Sequence, residues 1–403
     1  MREHGVPASE TLRAGGDAFR AERRHDAAGL RGAVSGHGGR PLWTGDAWLG
    51  GGISPAGLAD ADAGPVSRGR GRPSGRGRAD GGLVGQVGGA PADAGPRFDV
   101  AVPATGYRWW YVDALSDDGR FGLTVIAFIG SVFSPYYAKT RWADPLEHCT
   151  INVALYGPRG PVWRPGWAMT ERGGDALQQE ARRLSVGPSS LSWEGDALVV
   201  RIDETTTPVP MPLKGVICLH PQALIPRQFE IGGVGRHVWR PIAPRARVEV
   251  AFTDPTVNWS GNGYFDTNGG DSPLETSFSD WTWSRAHRAR DTLIFYDVGP
   301  DDDRGVHLAL RIDGQGEVEE VEAPPFHDVR PTFWRMPRRV RSDPSAPPRL
   351  RKTLEDAPFY SRSALDGVYD GEPAEILHES LSASRLRSPI IKTMLPYRMP
   401  RRA

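Results

Sequence analysis

Polar and apolar residues alternate in short runs along much of this 403-residue chain. Because neighbouring residues of an extended strand point to opposite faces, such alternation predicts strands with one buried face. Residues 247–252 alternate in this way, and residues 107–115 and 121–130 flank a turn sequence, which predicts a hairpin. Further strands are predicted at residues 149–156, 190–193, 197–202, 214–219, 276–285, 292–298, 306–312 and 317–321. A modest helical pattern covers residues 175–183.

The predicted strands fall into two sets of similar layout, separated near residue 226. Short strands with turns between them are typical of a β-barrel or a sandwich, so the chain is predicted to be all-β, with domains at 98–226 and 227–403. Residues 1–97 are rich in glycine, alanine and arginine, which predicts a disordered tail. The arginine-glycine run at 68–78 could bind RNA, but a solvated tail is the preferred interpretation and no nucleic-acid partner is predicted.

The overall composition narrows the function classes. Basic and acidic residues each number 49, so net charge gives no reason to expect a nucleic-acid partner. The 49 glycines and 36 prolines favour a turn-rich β protein, and the 13 tryptophans favour an apolar or π-face binding site. Cys149 and Cys218 could pair but are interpreted as two isolated thiols, and two cysteines are too few for a structural zinc cluster.

Membrane and metal signals are weak. No apolar run approaches the ~20 residues that span a bilayer, and the N-terminus lacks the layout of a secretory signal. The expectation is therefore a cytoplasmic protein with no transmembrane helix. Asp271, Asp280 and residues 301–303 could suggest a cation site, but 301–303 follow Gly299-Pro300 and are interpreted as a solvated turn, so no metal is predicted.

The stretch 237–266 contains the residues of greatest chemical interest, two pairs at a spacing of two: His237 with Trp239, and Tyr264 with Asp266. If both segments are strands, one face presents an imidazole, an indole, a phenol and a carboxyl together. Asp254-Pro255 and residues 260–263 are predicted as turns, the second directly before Tyr264. Structural alternatives stay open, because such residues can also hold a turn, fill a core or lie at the surface.

Longer motifs resemble one protein family. G-Y-R-W-W-Y-V-D-A-L-S-D-D-G (106–119), H-C-T-I-N-V-A-L-Y-G-P-R-G (148–160) and G-Y-x-D-x-N-x-G (263–270) are similar to the acyclic carotenoid 1,2-hydratases, also called hydroxyneurosporene synthases. So are residues 126–137, 169–173, 356–362, 378–381 and 394–402. The resemblance runs in order from about residue 98 to the C-terminus, and the tail lies outside it.

The resemblance implies two lipocalin-like β-barrels in tandem and a hydro-lyase that needs no cofactor. Such an enzyme adds water to the terminal 1,2 double bond of acyclic carotenoids such as neurosporene or lycopene, giving 1-hydroxy carotenoids. Members that resemble this chain belong to purple-bacterial spheroidene or spirilloxanthin routes. The catalytic His-x-Trp and Tyr-x-Asp pairs of the family match His237, Trp239, Tyr264 and Asp266.

The chemistry explains why these residue types are needed. An isolated alkene is a very weak base, so hydration begins with protonation at C2, and water then captures the tertiary cation at C1. Asp266 is predicted to be the acid, kept neutral by burial, which can raise a carboxyl pKa by ~3–5 units. Trp239 is predicted to stabilise the cation. His237 is predicted to orient the water and accept its proton, and Tyr264 to hydrogen-bond Asp266 or the water, so either can position the water. The predicted substrate-binding companions of Trp239 are Trp259, Trp281 and Trp283.

Two further expectations concern partners. A non-enzymatic lipocalin-like carrier of hydrophobic ligands is the alternative function, although a carrier has no reason to place a carboxyl in an apolar pocket. Because carotenoids dissolve in membranes, a peripheral contact with lipid at the inner, photosynthetic membrane is a further hypothesis. The arginines at 338–339, 349–351 and 401–402, the last pair in a basic C-terminal extension, could meet anionic head groups, although a solvated surface explains them equally well.

Overall fold

The computed structural model describes residues 95–158, 166–232, 235–299 and 305–402. Strands dominate these residues, which confirms the all-β class. The predicted tail lies outside the described residues except for its last three positions, and so does the acidic run 301–303. None of the helices in the described ranges is long and apolar enough to cross a membrane.

The first sheet contains twelve strands, in the order β4-β3-β2-β1-β12-β11-β9-β8-β7-β6-β5, with β10 paired to β11. It curls into a nearly closed barrel. These strands are β1 (Tyr107–Ser116), β2 (Gly122–Ile129), β3 (Cys149–Tyr156), β4 (Trp167–Arg172), β5 (Leu177–Glu180), β6 (Arg183–Val186), β7 (Ser189–Glu194), β8 (Ala197–Thr205), β9 (Pro212–Pro221), β10 (Phe229–Glu230), β11 (His237–Asp254) and β12 (Thr256–Gly270).

The second sheet contains seven strands, in the order β16-β15-β14-β13-β21-β20-β19, and a separate ribbon pairs β17 with β18. These strands are β13 (Asp280–His287), β14 (Asp291–Val298), β15 (Val306–Asp313), β16 (Val318–Glu320), β17 (Phe326–Val329), β18 (Arg338–Arg341), β19 (Arg349–Ala357), β20 (Tyr360–Tyr369) and β21 (Glu372–Ser382). Short α-helices occur at Pro135–Lys139, Leu274–Ser277, Ala383–Leu386 and Pro389–Met394, and 3₁₀ turns at Pro145–Glu147, Gly174–Ala176 and Leu395–Tyr397.

Strand alternation sorts the side chains into three apolar cores. In β1, Trp110 and Val112 point into the first barrel, whose core is mainly aliphatic. Their neighbours Trp109 and Tyr111 point the other way, into a core between the two sheets that is rich in aromatic residues. A third core lies on the far face of the second sheet. We call the middle core the inter-sheet layer, and ring contacts join the two sheets across it: Trp109 with Trp281 at 6.3 Å and Tyr111 with Trp283 at 5.7 Å.

Strand pairing carries β11 and β12 into the first sheet. β12 pairs with β1 along its C-terminal half, and β11 pairs with β9. The first sheet therefore extends to Gly270, and the second sheet begins with the next strand. The domain boundary at residue 226 stays a prediction. The pairing of β12 with β1 joins segments that are far apart in the sequence, and a local pattern carries no signal for such pairing.

Residues 260–263 are not a turn, which corrects the sequence prediction. They lie inside β12, and the chain reverses at Asp254-Pro255 instead. The glycines are required for close approach: a Cβ at Gly261 would overlap the backbone of Leu115, and one at Gly263 would overlap the Val248 side chain. Glycine in a strand can mark close backbone approach as well as a turn, and here the packing reason applies.

The predicted helix at residues 175–183 is also wrong. A 3₁₀ turn and the hairpin of β5 and β6 occupy this region, and Leu177–Glu180 alternates between partly buried and exposed positions. Pairing with β6 at the sheet edge thus overrides a weak local preference. The interpretation of the cysteines is confirmed, since Cys149 and Cys218 are both free thiols.

Candidate active site

The central strands of the first sheet present the predicted residues to the inter-sheet layer. Pro241 and Pro244 lack a backbone N–H, and the pairing of β11 with β12 shifts register on both sides of Ala243. Beyond these irregularities the ladder is regular, with Trp239 opposite Asn268 on β12. On the other side of β12, Tyr111 lies opposite Asp266.

Asp266 lies at the middle of this layer and is 4% exposed. Its Oδ2 accepts a hydrogen bond from Trp239 Nε1 at 2.8 Å and another from Tyr264 OH at 2.8 Å. Both donors are completely buried. Its other oxygen, Oδ1, is buried without a hydrogen-bond partner among the described residues. Three of the four predicted catalytic side chains therefore form one directly bonded group, with a single carboxyl oxygen left over.

The protonation of Asp266 follows from this environment. Burial raises its pKa to about 8, because a carboxylate loses its hydration in the layer. The hydrogen bonds from Trp239 and Tyr264 act in the opposite direction, and the negative charges of Glu379 and Asp113 add to the rise. The carboxyl is therefore predominantly neutral at pH 7.

His237 faces the same layer at some distance from Asp266. It is 1% exposed, and its Nδ1 lies 2.8 Å from the hydroxyl oxygen of Tyr107. Its ring stacks on Tyr107 at 5.6 Å and meets Phe278 edge-on at 4.7 Å. His237 lies opposite Gly270, four residues beyond Asp266, which corresponds to about 13 Å along the strand.

The predicted substrate-binding tryptophans divide between two cores. Trp281 and Trp283 are in the inter-sheet layer, and the Trp283 ring lies 5.0 Å from the ring of Tyr264. Trp259 instead packs against the core of the first barrel. It occupies an odd position of β12, like the barrel residue Phe265, so it points away from Asp266.

The layer has two different ends. We call the side that contains Tyr107, Trp109, His237, Phe278 and Trp281 the aromatic end. At the ionic end, Arg285 donates to Asp113 Oδ1 from Nε at 2.8 Å, and both side chains are buried. Nearby, Glu379 Oε1 accepts from Tyr111 OH at 2.7 Å and from Arg362 Nε at 2.8 Å.

Sequence reasoning did not identify the residues of the ionic end. Asp113 and Glu379 both fall within quoted family motifs, Y-V-D-A-L and H-E-S-L, and these motifs were the only signal available. Asp113 on β1 bonds Arg285 on β13, and Glu379 on β21 bonds Tyr111 on β1, so these contacts join the two sheets and could not be inferred from spacing. No group of three or more His, Cys, Asp or Glu within the described ranges could hold a metal ion.

The fold and the site together define a class: an all-β protein with a nearly closed barrel sheet and a second, seven-stranded sheet, in which a buried carboxyl lies in an aromatic-rich layer between the sheets. Comparison with known proteins gives the family. The family model for the carotenoid hydratase CrtC matches residues 125–403. The chain belongs to this carotenoid hydratase family.

Two relatives are similar over nearly their whole length. An acyclic carotenoid 1,2-hydratase from Thiocapsa roseopersicina is 46% identical, across 100% of this chain and 99% of the relative. Another from Rubrivivax gelatinosus is 45% identical, across 94% of each chain. These relatives indicate an enzyme of the hydro-lyase class. A crystal structure from Nitrosomonas europaea, provisionally described as AttH, superposes with a TM-score of 0.51 at 14% identity, over 75% of this chain and 98% of the other, and it supports the fold alone.

Proposed function

We propose that this protein hydrates the terminal C1=C2 bond of acyclic carotenoids such as neurosporene and lycopene, with Asp266 as the proton donor. The observation that carries the proposal is the neutral, buried carboxyl of Asp266, one oxygen of which has two donors while the other has no partner among the described residues. The family and its hydratase relatives support the reaction class.

The hydrogen bonds determine which oxygen carries the acidic proton. Oδ2 accepts from both Trp239 and Tyr264, so its two lone pairs are engaged as those of a carbonyl oxygen. In the neutral acid the proton therefore resides on Oδ1. A buried O–H without a hydrogen-bond partner carries an unfavourable free energy. That cost favours transfer of the proton to a bound alkene.

Proton transfer to C2 leaves a carboxylate on Asp266 and a tertiary cation at C1. The two hydrogen bonds to Oδ2 then become charge-assisted, and each is worth about 1.5–3 kcal/mol instead of the smaller value for a neutral acceptor. Trp239 and Tyr264 thus stabilise the transition state more than the ground state, which is the requirement for catalysis. Their role is to support the acid, while the π faces around it support the substrate cation.

Aromatic side chains surround the position where the cation forms. The rings of Tyr111 and Trp283 lie 6.1 and 5.0 Å from the ring of Tyr264, which itself holds Asp266. A desolvated cation near such a π face gains about 2 kcal/mol, and the rings offer no strong nucleophile that would trap it. Trp283 is therefore the better candidate for cation stabilisation, since the N–H of Trp239 is already bonded to the acid.

Water must attack C1 and lose a proton to a nearby base. The Asp266 carboxylate is the nearest base created by the reaction, and accepting that proton restores the starting acid. His237, about 13 Å along β12 from Asp266, is less well situated to receive it. We assign His237 to the aromatic end, where its bond with Tyr107 and its contact with Phe278 hold the wall along which the polyene lies.

The test is incubation of the purified chain with neurosporene or lycopene, followed by chromatography for the 1-hydroxy product. In deuterium oxide the product should carry one deuterium at C2. Asp266→Asn keeps the size and neutrality of the side chain but has no acidic proton, so we expect a loss of about 10³-fold or more. Binding of the carotenoid without turnover by the wild-type protein would favour the carrier, and near-wild-type activity of Asp266→Asn would refute the acid assignment.

A further inference from the structure

In the part of the chain that the structure describes, the exposed large apolar side chains are concentrated in one part of the surface. Within the described ranges the large apolar side chains that are exposed are Leu146, Val209, Met211, Phe333, Ile390 and Tyr397. Ile390 and Tyr397 belong to the segment 383–402, which contains the last helices of the chain. Scattered exposed apolar residues are ordinary, but a concentrated group indicates an interaction surface.

The other four lie on loops that are hydrogen-bonded to this C-terminal segment. Arg385 donates to the carbonyl of Trp334 at 2.9 Å, next to Phe333. Thr207 donates to the carbonyl of Arg398 at 2.9 Å, which ties down the turn that carries Val209 and Met211. Arg401 contacts His148 at 3.0 Å, and His148 directly follows the 3₁₀ turn that contains Leu146. We call residues 383–402 and these three loops the C-terminal surface.

The charge of the C-terminal segment is one-sided. Residues 383–402 contain six basic residues and no acidic residue. Arg387, Arg401 and Arg402 are exposed, while Asp144 and Glu147 on an adjoining loop are the exposed acidic neighbours. Exposed apolar side chains among arginines and lysines are the features that bind an anionic bilayer, because the apolar groups enter the head-group boundary and the cations attract the lipid phosphates.

The inner side of the same segment covers the inter-sheet layer. Leu386, Leu395 and Met399 are buried in that layer, and Ile391 packs against it. The segment is also bonded to residues 275–279, since Arg387 donates to the carbonyl of Glu275 at 2.8 Å and Ser384 N–H to that of Ser279 at 3.1 Å. Phe278 in that stretch touches His237, so the C-terminal surface lies over the aromatic end.

We propose that the C-terminal surface docks on an anionic lipid bilayer, so that a polyene passes from the lipid into the aromatic end without crossing water. The proposal rests on the proposed function, because a water-insoluble substrate makes such a route necessary. The structure also reduces the set of arginines that the sequence suggested could meet anionic head groups. Arg338 is 3% exposed, and Arg349 and Arg351 are engaged with Asp366 and Glu375. Arg339 stacks on Phe326, and Arg401 is ion-paired with the buried Glu171. Of those arginines, Arg402 is therefore the one assigned to the lipid contact, together with the exposed Arg387.

Vesicle flotation of the full chain tests the docking directly. We expect the wild-type protein to float with vesicles of phosphatidylcholine plus phosphatidylglycerol and much less with phosphatidylcholine alone. Ile390→Ser/Tyr397→Ser should lower the bound fraction about tenfold, and Arg387→Gln/Arg402→Gln about fivefold for each charge removed. The matched control is Arg201→Gln/Arg349→Gln, which removes two exposed charges elsewhere and should bind normally. Unchanged flotation of both test variants, or an altered oligomeric state in place of altered flotation, would overturn the proposal.

A second readout separates this proposal from the hydratase assignment. Ile390→Ser/Tyr397→Ser should hydrate a carotenoid in detergent micelles at the wild-type rate and a carotenoid in vesicles about tenfold more slowly. Equal loss in both presentations would mean that the substitutions damage the enzyme and would count against docking. If flotation depends on the surface as expected but no preparation forms the hydroxy product, the docking stands and the hydratase proposal fails.

Discussion

Two buried carboxyls of the inter-sheet layer, Asp113 at the ionic end and Asp266 beside Trp239 and Tyr264, have opposite kinds of hydrogen-bond donor. Asp113 on β1 and Asp266 on β12 belong to paired strands, and both are almost completely enclosed. Asp113 has the Arg285 guanidinium at 2.8 Å, whereas Asp266 has only an indole N–H and a phenol O–H. Burial raises the pKa of both carboxyls, but at Asp113 the guanidinium opposes that rise.

The difference shows what turns a buried carboxyl into an acid. Neutral donors stabilise the carboxylate enough to make proton transfer reversible but not enough to keep the group ionised at neutral pH. A guanidinium provides a full positive charge, which favours the carboxylate of Asp113 more strongly than neutral donors can. We therefore expect the proton donor of the layer to be Asp266, which has no cation bonded to it, and the predictions alter one side of this contrast at a time.

The largest expected effect is on stability at high pH. The pKa of Asp266 rises from 3.8 when the chain is unfolded to about 8 in the fold, so the folded state binds the proton more tightly. The free energy of unfolding should therefore fall as pH rises between about 4 and 8, by about 6 kcal/mol in all. Asp266→Asn lacks this dependence. Its free energy of unfolding, measured relative to that of the wild-type protein, should therefore increase between pH 4 and pH 9.

Chemical denaturation of both proteins across this pH range provides the measurement. Asp271 is a suitable control position, because it is exposed and its pKa is lowered by the backbone N–H of Arg236. The free energy of unfolding of Asp271→Asn, relative to that of the wild-type protein, should not increase as pH rises. Parallel curves for the wild-type protein and Asp266→Asn would show that Asp266 is ionised in the fold and would remove the basis of the mechanism.

The second prediction concerns a substitution that removes the Arg285 cation from the ionic end. Arg285→Met leaves the Asp113 carboxyl buried without its counter-ion, which should cost about 3–5 kcal/mol of unfolding free energy. Asp113→Asn/Arg285→Met should recover most of that loss, because neither member then carries a charge. Thermal or urea unfolding at pH 7.5 measures both variants. If Arg285→Met is as stable as the wild-type protein, Asp113 does not depend on the ion pair and the contrast with Asp266 is lost.

The third prediction concerns substitutions that remove the neutral hydrogen-bond donors of Asp266. Tyr264→Phe and Trp239→Phe each delete a charge-assisted bond worth about 1.5–3 kcal/mol, so kcat should fall roughly 10- to 100-fold. Both bonds lower the pKa of Asp266, so their loss should move the alkaline limb of the pH–rate profile above the wild-type position near pH 8. Tyr296→Phe is the control, since Tyr296 bonds Asn268 instead. A limb that moves to lower pH would contradict the assignment.

The sequence predicts the strands better than it predicts their partners. The sequence identifies β3 and β14 almost to the residue, because a short run of apolar and β-branched residues is a local property, although both strands are buried on both faces. The glycines of β12 mislead, since their role depends on Leu115 and Val248, which lie on other strands. The Tyr-x-Asp pair contains the buried carboxyl that we propose as the acid, whereas the Arg285 partner of Asp113 is 172 residues away and has no local signature.

The smallest expected effect is at the aromatic end. If the Asp266 carboxylate recovers the proton, His237→Gln should reduce kcat less than about tenfold, raise KM through loss of the packing against Tyr107 and Phe278, and leave the alkaline limb near pH 8. Full pH–rate profiles with neurosporene measure all three quantities, with Phe278→Leu as a variant that loosens the same wall without touching an ionisable group. A loss comparable to that of Asp266→Asn would mean that a base about 13 Å along the strand takes the proton of the attacking water, which would require the layer to rearrange around the bound polyene.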